Sequence, residues 1–201
     1  DDLVQGASGA ALLSSRIDGG PPRFLPTLAV DKLTGLHLGM AVLAALLHRE
    51  RTGEGQSVEV PMLEAATGFW LAEHLFNQSY VPARGEMGYS RVLAADRRPY
   101  ETQDGYICAL VYNEKNWRAF TTEIGQPEIL EDPRFSTTVA RANNQPAIMR
   151  DMADVMKTRT TANWLAFFDS ADIPAMPVNG LEQLFDDPHL AATGFFTTRE
   201  H

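Results

Sequence analysis

The sequence lacks the features that mark several large classes of protein. Its only cysteine is Cys108, so no disulfide can form within the chain and nothing indicates an oxidising compartment. Its longest apolar run, from Met40 to Leu47, is much shorter than the roughly 20 residues that a membrane-spanning helix needs. We therefore expect a soluble protein, with the cytoplasm as its compartment and no membrane partner.

Positive charge is also scarce. The chain of 201 residues has 17 Lys and Arg against 26 Asp and Glu, a formal net charge of −9, whereas nucleic-acid-binding domains carry a clustered basic surface. No two histidines have the spacing of metal ligands on a helix, and Gly85–Gly88 is too short for a phosphate-binding loop. Neither a nucleic-acid partner nor a metal site is expected. The 44% of hydrophobic residues is enough for a packed core.

The first part of the chain has the order of elements of an α/β layer. Apolar residues at spacings of four, three and four predict a helix from Thr34 to Arg49. After a turn at Gly53, the alternation over Gln56–Val60 predicts a short strand, and Pro61 begins a second helix that continues to about residue 77. The small-residue segment 3–13 predicts no particular element.

A second domain is indicated after residues 80–99, which lose this periodicity and are interpreted as a linker. Asp104-Gly105 lies between two short β-prone runs, a strong signal for a hairpin. Helical patterns follow over 116–124, 143–157 and 161–168, and residues 173–178 are extended because of their prolines.

Asp31 is the ionisable residue with the most informative position. It follows a loop rich in proline and glycine, residues 18–26, and immediately precedes the predicted helix at Thr34. Aspartate is a preferred helix cap, and the helix dipole favours its negative charge. The same location suits a carboxylate nucleophile if a substrate is held beside it. From the residues alone the cap is the more economical interpretation, and both remain open.

Three motifs in fixed order decide between these interpretations by resemblance. They are Asp31-Lys32-Leu33-Thr34-Gly35, the helical Ala44-Ala45-Leu46-Leu47, and Arg49-Glu50-Arg51-Thr52-Gly53-Glu54-Gly55-Gln56. Together they resemble the family III CoA-transferases, which include formyl-CoA transferase and carnitine CoA-transferase. Similarity continues at Asp104-Gly105-Tyr106, Asp132-Pro133-Arg134-Phe135 and Ile173-Pro174-Ala175-Met176-Pro177, so that it covers nearly the whole chain.

The resemblance implies an α/β fold: part of a Rossmann-like large domain plus a smaller α+β domain, in an interlocked homodimer. Residues 1–80 are then part of the large CoA-binding domain and 81–98 a linker. Residues 99–190 form the small domain, and 191–201 start the return linker.

The resemblance also implies that Asp31 is catalytic, because Asp31 occupies the position of the family's aspartate nucleophile. The reaction exchanges coenzyme A between an acyl-CoA and a carboxylic acid, through an aspartyl mixed anhydride and an aspartyl-CoA thioester. Coenzyme A enters as acyl-CoA substrate, and no permanently bound cofactor is expected. Oxyanions formed on this route need donors, for which the start of the helix and the glycine-bearing loop are candidates. Candidate substrate-binding residues in that loop are Arg84, Gly85, Gly88 and Tyr89.

Two alternatives are kept. An α-methylacyl-CoA racemase has the same fold and moves a proton at the acyl α-carbon, but its catalytic glutamate corresponds here to Asn113. A noncatalytic acyl-CoA-binding or assembly subunit is the alternative of another class, with Asp31 serving only as a helix cap.

Overall fold

A computed structural model describes residues 1–200 of the protein. The chain divides into two compact units, with the boundary between Ala95 and Asp96. The domain limits expected from the resemblance stay predictions. The expected return linker ends at His201, which lies outside the described residues.

The unit 1–95 is built from helices. They are α1 (Asp2–Ala7), α2 (Ala10–Asp18), α3 (Ala29–Thr52), α4 (Met62–His74) and a short 3₁₀ helix (Phe76–Ser79). The small-residue segment 3–13 lies in α1 and α2 except for a turn at residues 8 and 9, and the loop predicted from its prolines and glycines occupies residues 19–28. The strand predicted at Gln56–Val60 is wrong: residues 54–61 have no regular structure. An alternating pattern forms a strand only where a neighbouring strand accepts its hydrogen bonds.

The helix α3 extends beyond both of its predicted ends. It finishes at Thr52 because Gly53 adopts a left-handed conformation (φ 80°) and donates its N–H to the Arg49 carbonyl at 2.8 Å. Of its 24 residues only Val30 is buried. Among residues 1–200, α3 alone is long and apolar enough to cross a membrane. Length and composition are weak evidence for a span, since core helices meet the same test.

The unit from Asp96 onward contains a three-stranded antiparallel sheet. The strands β1 (Tyr100–Glu101) and β2 (Tyr106–Ala109) pair with Tyr100 opposite Ile107, and β3 (Ala175–Pro177) pairs with β2. The hairpin predicted at Asp104-Gly105 and the extended segment 173–178 are therefore both present.

Five α-helices accompany this sheet within the described residues: α5 (Glu114–Glu123), α6 (Thr138–Asn143), α7 (Gln145–Met156), α8 (Thr161–Ser170) and α9 (Pro188–Ala192). Two short 3₁₀ helices, Pro127–Glu131 and Glu182–Asp186, lie between them. The helix predicted over 143–157 is present as α7, whereas α6, which ends just before it at Asn143, was not predicted. Pro146 lies in the first turn of α7, where backbone N–H groups have no partner within the helix, so its missing N–H costs no hydrogen bond. A single helix that ran through Pro146 would lose one hydrogen bond there.

One hydrophobic core holds this unit together. Its buried members come from the sheet, from α5, α7 and α8, and from adjoining loops: Tyr100, Ile107, Ala109, Trp117, Phe120, Phe135, Ile148, Met152, Met156, Trp164, Phe168 and Ile173. Aromatic rings form its centre, with Trp164 and Phe168 stacked at 5.6 Å between ring centroids. The fold is thus a mixture of helix and sheet, as expected.

Candidate active site

Asp31 lies in the first turn of α3. The helix begins at Ala29, and Leu28 at the N-cap position makes no side-chain cap hydrogen bond. The interpretation of Asp31 as the helix cap is therefore wrong. Because the side chain of Leu28 is apolar, a search of the sequence for a polar cap places the boundary too late in the chain.

The Asp31 carboxylate is accessible. Its side chain is 50% exposed, and its Oδ1 lies 3.7 Å from the backbone nitrogen of Asp1. The first turn of a helix carries a partial positive charge, which favours a carboxylate anion. A carboxylate that is both reachable and placed in such a turn meets the geometric requirements of a nucleophile.

The cap of α3 comes from a residue far away in the sequence. Asp1 Oδ2 accepts hydrogen bonds from the backbone N–H groups of Val30 at 2.8 Å and Asp31 at 3.0 Å. Gln5 Nε2 donates to Asp1 Oδ1, and Gln5 Oε1 accepts the N–H of Leu25 at 2.8 Å. Sequence reasoning missed Asp1 and Gln5. Their spacing of four residues puts them on one face of α1, but nothing in that spacing points to α3.

The first amides of α3 already have acceptors. Val30 and Asp31 donate to Asp1, and Ala29 donates to the Thr27 carbonyl at 2.8 Å. Each is therefore engaged and not directed at a developing oxyanion. The suggestion that the helix start supplies oxyanion donors is wrong for these three groups.

The predicted substrate-binding residues lie in the loop after α4. Two of its backbone groups are fastened to the end of that helix: Gly88 N–H donates to the His74 carbonyl at 2.7 Å, and Tyr89 N–H donates to His74 Nδ1 at 3.2 Å. The imidazole of His74 is buried. A buried histidine that accepts through Nδ1 is used here to hold a loop.

The conformation of the loop depends on glycine at position 88. Gly88 has a φ of 108°, and a Cβ there would lie 2.9 Å from both Arg16 Nη1 and Leu93 Cδ1. Arg16 also donates to the carbonyl of Met87 at 2.7 Å. The resemblance makes Gly88 a candidate substrate-binding residue. In the structure, the absence of a side chain at Gly88 allows the loop to pack closely against Arg16 and Leu93.

The remaining loop candidates are engaged locally. The guanidinium carbon of Arg84 lies 3.9 Å from the centre of the Tyr80 ring, and the ring of Tyr89 stacks on Phe76 at 5.3 Å. The carbonyl of Gly85 accepts from a glutamine side chain at 2.7 Å. Within residues 1–200 no hydrogen bond or ion pair joins these loop residues to Asp31. Their role in binding substrate stays a prediction.

Asn113 has a structural role. It caps α5: its Oδ1 accepts the Asn116 N–H at 2.9 Å, and Asn116 Oδ1 accepts the Asn113 N–H at 3.3 Å. This reciprocal pair is a capping box. An amide in this position has no carboxylate to exchange a proton with a substrate.

No cluster of metal-ligating side chains occurs in the part of the chain that the structure describes. Cys108 lies on β2, and its side chain is exposed. Asp31 thus supplies an exposed carboxylate in the first turn of a helix.

The chain belongs to CoA-transferase family III. The sequence model of that family matches residues 1–201, the whole chain. Among curated proteins, the chain is 29% identical to the "Probable fatty acyl-CoA transferase Rv3272" of Mycobacterium tuberculosis, over 94% of this chain and 51% of that protein. It is 30% identical to a "Formyl-CoA:oxalate CoA-transferase" of Escherichia coli O139:H28, over 96% of this chain and 52% of that protein.

Solved structures agree with this membership. A crystal structure of the M. tuberculosis protein Rv3272 matches with a TM-score of 0.76 and 27% identity, covering 95% of this chain and 50% of that one. A CAIB/BAIF family protein from Brucella suis matches with a TM-score of 0.73 and 26% identity, covering 96% and 51%. The chain thus spans about half the length of the relatives it matches.

Proposed function

We propose that this chain is the part of a CoA-transferase that carries the nucleophile, and that Asp31 is that nucleophile. The observation that carries the proposal is the half-exposed Asp31 carboxylate in the first turn of α3. Family membership over the whole chain supports transfer of coenzyme A as the reaction class.

The proposed reaction begins when a carboxylate oxygen of Asp31 attacks the thioester carbonyl of an acyl-CoA. The carbon–sulfur bond breaks, which leaves a mixed anhydride on Asp31 and a CoA thiolate. The thiolate then attacks the Asp31 carbonyl and releases the first acid as its carboxylate, so that Asp31 becomes an aspartyl-CoA thioester. Each step exchanges one acyl bond for another.

The second half of the reaction reverses the first with a new acid. The acceptor carboxylate attacks the aspartyl-CoA carbonyl, forms a new mixed anhydride and expels the CoA thiolate. The thiolate attacks the acceptor's carbonyl carbon, which yields the new acyl-CoA and frees Asp31. No oxidant, metal or permanently bound cofactor takes part in this scheme, and the thioester energy is conserved throughout.

The acids themselves are a wider proposal. One relative is named for fatty acyl groups and another for formyl and oxalate, at nearly equal identities of 29% and 30%. The relatives therefore favour no single acid, and short, dicarboxylic and long-chain acyl donors all belong in a test. We also propose a homodimer and a cytoplasmic location for the full-length natural protein.

The test uses the full-length natural protein and a panel of such acyl-CoA donors. Hydroxylamine converts an aspartyl anhydride or thioester into a hydroxamate, which peptide mass spectrometry locates. We expect modification at Asp31 that is lost in Asp31→Ala and Asp31→Asn. The matched control is Glu50→Gln, an exposed carboxylate near the other end of α3, which should leave the adduct unchanged.

Two other outcomes are decisive. If no donor gives an adduct and the α-proton of an acyl-CoA exchanges with deuterated water, the racemase alternative replaces the transferase. If neither an adduct nor exchange occurs with any donor, the noncatalytic alternative stands.

A further inference from the structure

The start of α3 is held by a buried polar network that includes the N-cap residue of α1 and one residue within α1. The side chain of Asp1 is only 4% exposed, and Gln5 is 1% exposed. A buried carboxylate is costly unless its oxygens accept hydrogen bonds. Both oxygens of Asp1 do so, Oδ1 from Gln5 and Oδ2 from two amides of α3.

One of those two amides belongs to Asp31 itself. Asp1 Oδ2 accepts from Asp31 N–H at 3.0 Å and from the preceding Val30 N–H at 2.8 Å, and Val30 is fully buried. The backbone of the proposed nucleophile is therefore fixed by a direct bond on one side and by a packed neighbour on the other. Leu28, the local N-cap residue, contributes no such bond.

Gln5 hydrogen-bonds both to Asp1 and to the loop before α3. Its Nε2 donates to Asp1 Oδ1, while its Oε1 accepts the N–H of Leu25 in the loop that precedes α3. One side chain therefore orients the Asp1 carboxylate and fixes the loop from which α3 starts. Because a buried amide with both ends bonded has one favoured orientation, Asp1 is held with Oδ2 toward the helix.

We propose that Asp1 is a positioning residue for Asp31, and that Gln5 orients Asp1 for this task. The inference rests on the proposed function, since it concerns the orientation of the Asp31 carboxylate as nucleophile. A reacting group displaced by about 1 Å can lose on the order of 100-fold in rate. Removal of the Asp1 carboxylate leaves two backbone amides without an acceptor in the helix turn that carries Asp31. The Asp31 carboxylate is then no longer held in one orientation relative to the thioester.

The experiment measures the rate at which Asp31 is acylated in the full-length natural protein. Asp1→Ala is compared with Asp2→Ala, which removes the adjacent, exposed carboxylate of the same helix. We expect Asp1→Ala to slow acylation per folded molecule by about 10- to 100-fold with little change in the KM for acyl-CoA. Asp2→Ala should acylate at the wild-type rate.

Two further variants separate positioning from loss of folding. Asp1→Asn keeps one oxygen that can accept from α3 and should recover most of the rate lost in Asp1→Ala. Gln5→Met keeps the volume of the side chain and removes both of its hydrogen bonds, so it should give an intermediate rate. Circular dichroism and hydroxylamine trapping supply the folded and competent fractions for each variant.

The outcomes distinguish this inference from the proposed function. If the wild type gives no adduct at Asp31, the proposed function fails first. If the wild type is acylated and Asp1→Ala, Asp1→Asn and Gln5→Met match its rate per competent site, the positioning role is refuted. If the variants only have a smaller folded fraction, while each competent site is acylated at the wild-type rate, the positioning role is likewise refuted.

Discussion

The two units of this chain are stabilised in different ways. From Asp96 onward, twelve buried hydrophobic residues form one core. In residues 1–95 the buried hydrophobic residues are small, namely Ala10, Ala11, Val30 and Ala66, and most of α3 is exposed. The candidate nucleophile thus lies in the unit with less buried apolar area of its own. The difference teaches that the helix content of a unit does not indicate how much apolar packing stabilises that unit.

Helix capping shows the same contrast. Four of the five α-helices described from Asp96 onward begin at a residue whose own side chain accepts an amide of the first turn: Asn113, Thr137, Thr160 and Asp187. None of α1 to α4 has such a local cap. The start of α3 depends instead on Asp1. Most helix starts in the later unit are therefore fixed by local residues, whereas the start of α3 is fixed by a residue far away in the sequence.

The largest expected effect comes from separating the units. Residues 96–200 expressed alone should fold cooperatively, because their core is complete within that segment. Residues 1–95 expressed alone should not, because so little apolar surface is buried there. Thermal unfolding followed by near-ultraviolet circular dichroism distinguishes these states. A sharp transition in 1–95, or none in 96–200, would reverse the comparison.

A pair of phenylalanine substitutions tests the contrast residue by residue. Phe168 is fully buried and stacks on Trp164, whereas Phe69 on α4 is 54% exposed. Phe168→Ala should cost about 3–5 kcal/mol of unfolding free energy through lost burial and the resulting cavity. Phe69→Ala should cost less than about 1 kcal/mol. Urea unfolding of the full-length natural protein measures both, and equal losses would contradict the difference in packing.

The sequence predicts those parts of the fold that depend on neighbouring residues. The Asp104-Gly105 hairpin is one such part, because its turn residues lie between the strands they connect. The helix α8 is another, since its cap, Thr160, immediately precedes it. The false strand at 56–60 shows the limit: pairing requires a partner strand, which residues 54–61 do not meet.

The candidate site was predictable to a similar extent. Asp31 is identified by the motif that contains it, but the true start of α3 is concealed by the apolar Leu28. Asp1 and Gln5 act across about 20 to 30 residues of intervening chain, and no local pattern records such hydrogen bonds. Their roles become visible only when the fold brings them to α3.

A smaller effect tests the local caps. Asn113→Ala removes the acceptor for the Asn116 amide in the capping box of α5 and should cost about 1 kcal/mol. Leu28→Ala changes the N-cap residue of α3, where no cap bond is lost and the side chain is 55% exposed, and should cost about half of that or less. Urea unfolding compares the two. A larger loss at Leu28 would show that α3 has a local determinant after all.

The smallest expected effect concerns alkaline pH and the later unit alone. Burial raises the pKa of the Tyr100 phenol to about 12, with a further contribution from the negative charge of Cys108. The unfolded phenol titrates near 10, so the folded state retains the proton more tightly. This stabilisation is complete below pH 10 and is lost as the pH rises toward 12. At pH 10 the loss should be about 0.4 kcal/mol.

Two tyrosine substitutions isolate that contribution. Tyr100→Phe removes the buried phenol and should flatten the decline of unfolding free energy between pH 9 and 10.5 relative to the wild type. Tyr106→Phe changes the other tyrosine of the same hairpin, whose side chain is 53% exposed, and should leave the decline as it is. If the unfolding free energy of both variants declines with pH as it does in the wild type, the Tyr100 phenol exchanges its proton with water in the folded state. The core at β1 is then more open than its packing implies.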